Sequence, residues 1–380
     1  MINNKDVIII GGNHHNTLGV IRGLGYEGIK PILILVAGDN EDTYVDKSRY
    51  IKTCIRVAHD DDIINVLSEI SSHVDDKSVI IVCSDGVSSV IDLNRVRLLS
   101  SYYLPGCVES GLVTQMMDKD KLTNYAKSIG LNVPVSWVVE QKEDIHGIIY
   151  PCITKPILSK DGCKTDIKIC HSEDDLVNLL KVGSCYKYQV QEFLEKEFEY
   201  QLIGLSLNGG EEVIIPGISR CIRPLPGTNT GFLRYQGIDT MDVPLEKCRE
   251  FISNLKYSGL FSIEFLRGKN GKDYFLEMNF RNDGNAICVT RAGFNLPYLW
   301  YLYCVGGDYS GYLSCCKLTP VLVMPELNDL YFVRTREISL LQWFRDIRRT
   351  NAFMEYDSSD KRPFWYALRS MIINAIKRRL

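Results

Sequence analysis

The chain has 380 residues, 45% of them hydrophobic and 24% charged, with a formal net charge of −3 at pH 7. That length supports two or three domains with sizeable cores, and the mild acidity gives no footing for nucleic acid as a main partner. Thirteen cysteines without a C-x-x-C pair and six histidines without ligand spacing argue against a disulfide scaffold and against a zinc site. The absence of a signal-peptide pattern and of any apolar run near ~20 residues leads to the expectation of a cytoplasmic protein with reduced thiols.

The N-terminal third alternates strand and helix signals. "DVIIIGG" is an apolar run stopped by Gly11-Gly12, followed by a helix with Leu18, Ile21 and Leu24 on one face. "KPILILVAG" and "KSVIIVCSDG" read as further buried strands with "DIINVLSEISSHV" as a helix between them, which predicts a parallel α/β domain over residues 1–112. His14, His15 and Asp85 follow strands at the mouth of that sheet, where ligands often bind. The histidines read as loop residues, whereas Asp85 is a candidate for substrate contact. "GGNHHNTLG" lacks the G-x-G-x-x-G spacing of a dinucleotide loop.

Past residue 113 the character changes. "MDKDKLTNYAKSIG" is a helix with Asp118 as N-cap, Leu122, Tyr125, Ala126 and Ile129 on one face and Gly130 as its stop. Hairpin chemistry follows, with a turn at Asp161-Gly162 and two strand-like runs in "YQVQEFLEKEFEYQLIG". The Pro/Gly-rich loop "SRCIRPLPGTNTGF" carries Arg220 and Arg223, which either clamp a substrate carboxylate or stand solvated beside the loop.

The segment "SIEFLRGKNGKDYFLEMNFR", residues 262–281, predicts a hairpin with a two-residue Asn270-Gly271 turn. Lys269 then faces Lys272, and Glu264 lies opposite Glu277. Like charges about 5 Å apart destabilise a strand pair unless something relieves them. A divalent cation does so, because Mg²⁺ takes a few carboxylates and completes its octahedron with water and phosphate oxygens. Strand alternation puts the Asn279 amide on the same face and Arg281 at the next step.

Here the sequence resembles the ATP-grasp superfamily, over roughly residues 113–300. Glu277-Met278-Asn279-Phe280-Arg281 is similar to its metal-binding strand, with Glu264 as the partner carboxylate. "MDKDKL" and "YPCITKP" place Lys119 and Lys155 at the two nucleotide lysines, and "VQEFLEKEFEY" resembles the hinge. The resemblance implies that Glu192 and the backbone of Phe193 and Leu194 meet adenine, and that Glu199 holds the ribose hydroxyls. It also makes Arg281 the catalytic cation for the transferring phosphoryl group. "LSKDGCK" departs from the family pattern by offering one glycine, Gly162, in the phosphate-covering loop, with Ser159, Lys160 and Lys164 as substitutes. Ser262 stands where D-alanine–D-alanine ligases carry an arginine, and the N-terminal segment resembles the D-aspartate ligase and carbamoyl-phosphate synthetase branches.

The expected architecture is an α/β N-terminal domain followed by an α+β ATP-grasp fold, residues 113–306, whose two antiparallel sheets clasp ATP, with a lid over about 118–190. The implied activity is an ATP- and Mg²⁺-dependent (or Mn²⁺-dependent) carboxylate–amine ligase working through an acyl phosphate on small-molecule substrates. A nucleotide-binding protein without chemistry and an ATP-grasp kinase are the alternatives. The remaining 307–380 is a C-terminal extension. Residues 345–380 hold nine Lys/Arg against four Asp/Glu, and Trp365, Leu368, Ile372 and Ile376 fall on one helical stripe near Arg369, Lys377, Arg378 and Arg379. The first expectation is that this stripe packs on the body of the protein. The alternative is weak attachment to an anionic membrane surface, which would make the protein peripheral at the inner membrane face.

Overall fold

The computed structural model describes all residues except 1–4, 74, 75, 141, 158–166, 183–186, 229 and 378–380. The proposed phosphate-covering loop with Ser159, Lys160, Gly162 and Lys164, its turn at Asp161-Gly162, and Arg378 and Arg379 lie outside the described residues.

The first sheet is parallel, in the order β3-β2-β1-β4-β5: β1 (Val7–Gly12), β2 (Ile32–Val36), β3 (Thr53–Val57), β4 (Ser78–Val82) and β5 (Tyr102–Tyr103). Its central strands β1, β2 and β4 are almost continuously apolar because both faces are covered, whereas the edge strand β3 is largely exposed. Ile8, Ile10, Ile34, Ile80 and Val82 face the helices Ile63–Ser72 and Asp85–Leu93, while Ile9, Leu33, Leu35, Val79 and Ile81 face the helices His15–Tyr26 and Leu296–Val305.

β6 (Gly106–Cys107) already pairs with the largest sheet. A small antiparallel sheet, ordered β7-β10-β8-β9, follows from β7 (Ser136–Val139), β8 (Cys152–Pro156), β9 (Ile169–Cys170) and β10 (Tyr188–Glu192). The largest sheet runs β16-β15-β11-β13-β14-β17-β18, with β12 beside β11. Its strands are β11 (Lys196–Leu207), β12 (Glu212–Ile214), β13 (Gly217–Pro224), β14 (Gly231–Gly237), β15 (Tyr257–Gly268), β16 (Asp273–Asn279), β17 (Val321–Met324) and β18 (Ala352–Phe353). The C-terminal region thus supplies two strands of this sheet before its last helix, Arg362–Lys377.

One face of the large sheet changes character along its strands, and this change sets the position of the cleft. On β11, Glu199 and Gln201 are polar, and Ile203, Leu205 and Leu207 beyond them join the core shared with the N-terminal domain. On β15, Glu264 is followed in the same way by Leu260. The opposite face, with Tyr200, Leu202, Phe261, Ile263 and Phe265, buries itself under the helices Lys119–Ser128 and Leu245–Asn254. Among the described residues no helix is long and apolar enough to cross a membrane, and the described cysteines are free thiols.

Candidate active site

The hairpin that carries the glutamates forms, and Glu264 pairs with Glu277 across β15 and β16. The route to that register differs from the expectation. Gly268 N–H donates to Lys272 C=O and Gly271, at φ +76°, donates to Gly268 C=O, so the loop is the three residues Lys269-Asn270-Gly271 and Lys269 does not face Lys272. Phe265 accordingly pairs with Phe275, and a β-bulge between there and Glu264 restores the register by one residue. The bulge turns both Leu276 and Glu277 to the cleft while Phe275 and Met278 stay in the core. The packing demand of Phe275 explains it: an unbulged two-residue hairpin would turn that ring to the cleft.

Around the pair the hydrogen bonds are dense. Gln201 Nε2 donates to Glu264 Oε1 at 3.0 Å and Asn279 Nδ2 donates to the same oxygen at 3.3 Å. Ser262, fully buried, accepts from Asn279 Nδ2 at 3.1 Å and donates to Asp283 Oδ2 at 2.8 Å. Burial, then Glu277, then Asp283 push the Glu264 carboxyl up to about 8. A carboxylate held so far above its ordinary range is what a divalent cation at this point would relieve. The donor set therefore fits a Mg²⁺-type ion held by Glu264 and Glu277. The Asn279 oxygen accepts from Arg281 Nη2 at 3.0 Å and keeps a second lone pair for a ligand. Among the described residues no group of three His, Cys, Asp or Glu side chains could hold a metal by itself.

Arg281 is fixed from several sides. Nε donates to Asp85 Oδ1 at 2.8 Å, Nη2 to Asp85 Oδ2 at 3.3 Å and Nη1 to Asn282 C=O at 3.1 Å. Burial works against its charge, but Asp85, Asp283 and Glu277 outweigh it and raise the pKa. Asp85 opens the helix Asp85–Leu93 behind its N-cap Ser84, so the end of β4 aims a carboxylate at Arg281. Asp85, expected to contact substrate, holds Arg281 and also lines the cleft between the sheets.

The small sheet forms the other wall. Lys119 begins the helix capped by Asp118, whose carboxylate accepts from the amides of Asp120 and Lys121, and Lys155 sits on β8. Both line a cleft of about 930 Å³ together with Gln191, Glu192, Phe193, Leu194, Glu199, Glu264, Leu266, Leu276, Glu277, Asn279 and Arg281. Burial lowers the Lys155 pKa, with Lys119 adding to that effect and Glu277, Glu264 and Glu199 opposing it. At the hinge, Glu192 Oε1 accepts from Val135 N–H at 2.9 Å, and Phe193 N–H donates to Pro151 C=O at 3.0 Å. The Phe193 amide is therefore committed, and its carbonyl is the group it can present to a purine edge. Glu199 accepts from Lys196 at 3.0 Å.

Two expected substrate residues do not line the cleft. Arg220 is exposed, with its guanidinium 3.8 Å from the Phe198 ring centroid, on the face of β13 that pairs Tyr200 rather than Gln201. Arg223 is a structural clamp: Nε and Nη2 reach Asp329 at 3.0 and 2.6 Å, and Nη1 reaches Asp346 at 2.8 Å. Conversely, a second cavity of about 280 Å³ adjoins Arg281 and includes His14, Asn16, Gln201, Asp283 and Asn285, of which only His14 stood out in the sequence. The signal was available, since Asn279, Arg281, Asp283 and Asn285 continue the every-second-residue pattern past the strand end.

No protein-family model matches this sequence, and no curated protein is similar to it at the sequence level. Solved structures do match. N5-carboxyaminoimidazole synthetase from Staphylococcus aureus is 17% identical at a TM-score of 0.65, with 87% of this chain and 85% of that one covered. L-amino acid ligase from Bacillus licheniformis is 15% identical at a TM-score of 0.64, covering 83% and 78%. The biotin carboxylase domain of Hydrogenobacter thermophilus 2-oxoglutarate carboxylase, in complex with MgADP, ADP and bicarbonate, is 16% identical at a TM-score of 0.61, covering 79% and 70%. The chain therefore has the ATP-grasp fold, set behind an α/β N-terminal domain.

Proposed function

We propose that this chain is an ATP-dependent carboxylate–amine ligase that forms an amide or peptide bond and releases ADP and phosphate. The observation that carries the reading is the in-register Glu264–Glu277 pair facing Lys155 and Lys119 across a cleft of about 930 Å³. Carboxylates on one wall and ammonium groups on the other suit a polyphosphate bridged by a cation. The likeness to an L-amino acid ligase and to a domain that holds MgADP and bicarbonate agrees with that assignment.

Adenine would lie at the hinge against the Phe193 carbonyl and Leu194, with Glu199 toward the ribose and Lys119 and Lys155 toward the phosphates. Glu264, Glu277 and Asn279 would hold Mg²⁺, or Mn²⁺ in its place, which would supply positive charge to offset that of the phosphates. A substrate carboxylate attacks the γ-phosphorus and ADP leaves; the nitrogen of an incoming amine then attacks the acyl carbon, the carbon–oxygen bond to phosphate breaks, and inorganic phosphate leaves as the nitrogen loses a proton. Arg281, rigidly set by Asp85, faces the charge that develops on the transferring group. Catalysis of this kind rests on positioning and needs no covalent nucleophile. The small cavity lined by Gln201, Asp283 and Asn285 is where the acid would meet the phosphate. We place the enzyme in the cytoplasm.

The test is a screen of amino acids and hydroxy acids for ADP release, with hydroxylamine as trapping amine. The reading expects an acid-dependent acyl hydroxamate in step with ADP. ADP release with a phosphorylated hydroxyl and no hydroxamate would make it a kinase, and ATP binding without turnover on any acid would make it a binding protein.

A further inference from the structure

Three of the four stripe residues on the last helix face away from the body of the protein, and only Leu368 is half-buried. Trp365, Ile372 and Ile376 are 57%, 49% and 55% exposed, and they share one face with exposed Arg362 and Arg369. The opposite face does the packing. Ser370 donates to Asp42, Lys47 stands 5.3 Å from the Tyr366 ring centroid, and Ala367, Met371 and Asn374 close a cavity over the N-terminal domain. The docked side of the helix thus mixes small and polar side chains with Met371 and Ile373, while Trp365, Ile372 and Ile376 face outward. Three large apolar side chains on the solvent side are more than an ordinary surface helix exposes.

Charge is sorted in the same sense. All four acidic residues between 345 and 377 are buried: Asp346, Glu355, Asp357 and Asp360. Asp346 is held by Arg223, Asp357 by Arg291 and Tyr26, and Asp360 by Arg22 and Ser48, while Glu355 lies near His15. All seven basic residues of the same span, Arg345, Arg348, Arg349, Lys361, Arg362, Arg369 and Lys377, are exposed. The acids of this segment are thus spent on the interior, and every exposed charge between 345 and 377 is positive. Glu41 and Asp42 line the cavity beneath the helix, where Asp42 accepts from Ser370.

We infer that the outer face of the helix Arg362–Lys377 docks on an anionic lipid surface, with Trp365, Ile372 and Ile376 entering the headgroup region and the surrounding cations meeting lipid charge. The occupant follows from the pairing of the two features. A neutral apolar partner would leave the cations unmatched, and a soluble polyanion would leave three large apolar side chains in water. The inference stands apart from the ligase reading, because it uses no residue of the cleft.

Co-sedimentation of the full chain with vesicles tests it, using phosphatidylcholine alone and phosphatidylcholine mixed with phosphatidylglycerol, at low and physiological salt. The expected result is binding to the anionic vesicles at least tenfold tighter than to the neutral ones, weakening with salt. Combined Arg362→Glu and Arg369→Glu lowers it about thirtyfold or more. Combined Trp365→Ser, Ile372→Ser and Ile376→Ser lowers it at least tenfold while leaving the melting temperature and ATP affinity of the parent. All these positions are exposed, so folding is expected to survive. Equal sedimentation of parent and variants, or equal binding to neutral vesicles, overturns the inference. So does a concentration-dependent dimer that the serine variant dissolves, without vesicle binding by the parent.

Discussion

The two walls of the cleft are built from sheets of different size and opposite charge. The small sheet brings Lys155 and the neighbouring Lys119, and the large sheet brings Glu199, Glu264 and Glu277. Each wall is unfavourable by itself. Burial lowers the Lys155 pKa, and burial with Glu277 raises that of Glu264 to about 8. The difference teaches that each wall carries an internal conflict, which a ligand bringing negative charge to one wall and a cation to the other would relieve.

That comparison can be broken one wall at a time. Glu277→Gln should lower turnover on the order of a thousandfold, measured as ADP release, because a metal ligand and its charge are both lost. Removing a carboxylate from the crowded pair leaves Glu264 easier to ionise, so the melting temperature of the metal-free variant should equal or exceed that of the parent. A variant that turns over like the parent would remove the metal assignment.

Arg223→Met is the control outside the walls. It strands Asp329 and Asp346, both buried, and should cost about 3 kcal/mol of stability by denaturant titration with ATP affinity unchanged. Loss of ATP affinity with intact stability would return Arg223 to the site. Arg281→Lys should reduce turnover about thirtyfold while changing nucleotide affinity less, since an ammonium group cannot hold Asp85 bidentately and present the same planar charge. The opposite split, weak binding with intact turnover per bound complex, would contradict that role. Lys155→Met keeps the length of the side chain and removes its charge, so ATP affinity by calorimetry should fall about tenfold. Unchanged affinity would make Lys155 a surface lysine.

Much of this was legible because it is local. The hairpin around Asn270-Gly271, the alternation toward Asn279 and Arg281, and the short stretches that carry Lys119, Lys155 and Glu192 each lie within a short window. The register of Glu264 and Glu277 came out as expected for an incomplete reason. The three-residue loop and the bulge beside Leu276 cancel each other, and the bulge answers to the packing of Phe275, which no local pattern encodes. What stayed hidden depends on distant partners. Arg223 meets Asp329 and Asp346 more than 100 positions away, and Asp85 meets Arg281 almost 200 away. The last helix shows the same limit from the other side. Its stripe was readable, but which face would pack depended on the loop around Asp42 and Lys47.

The central claim is that the opposed walls hold a nucleotide and a divalent cation together, and calorimetric titration of ATP with Mg²⁺ or with EDTA tests it most directly. The account predicts one ATP per chain, bound more tightly with Mg²⁺, with the Mg²⁺-dependent gain abolished in Glu277→Gln and retained in Lys155→Met on a weaker baseline. ATP binding of equal strength with and without Mg²⁺ in the parent, or a gain that survives Glu277→Gln, would contradict it.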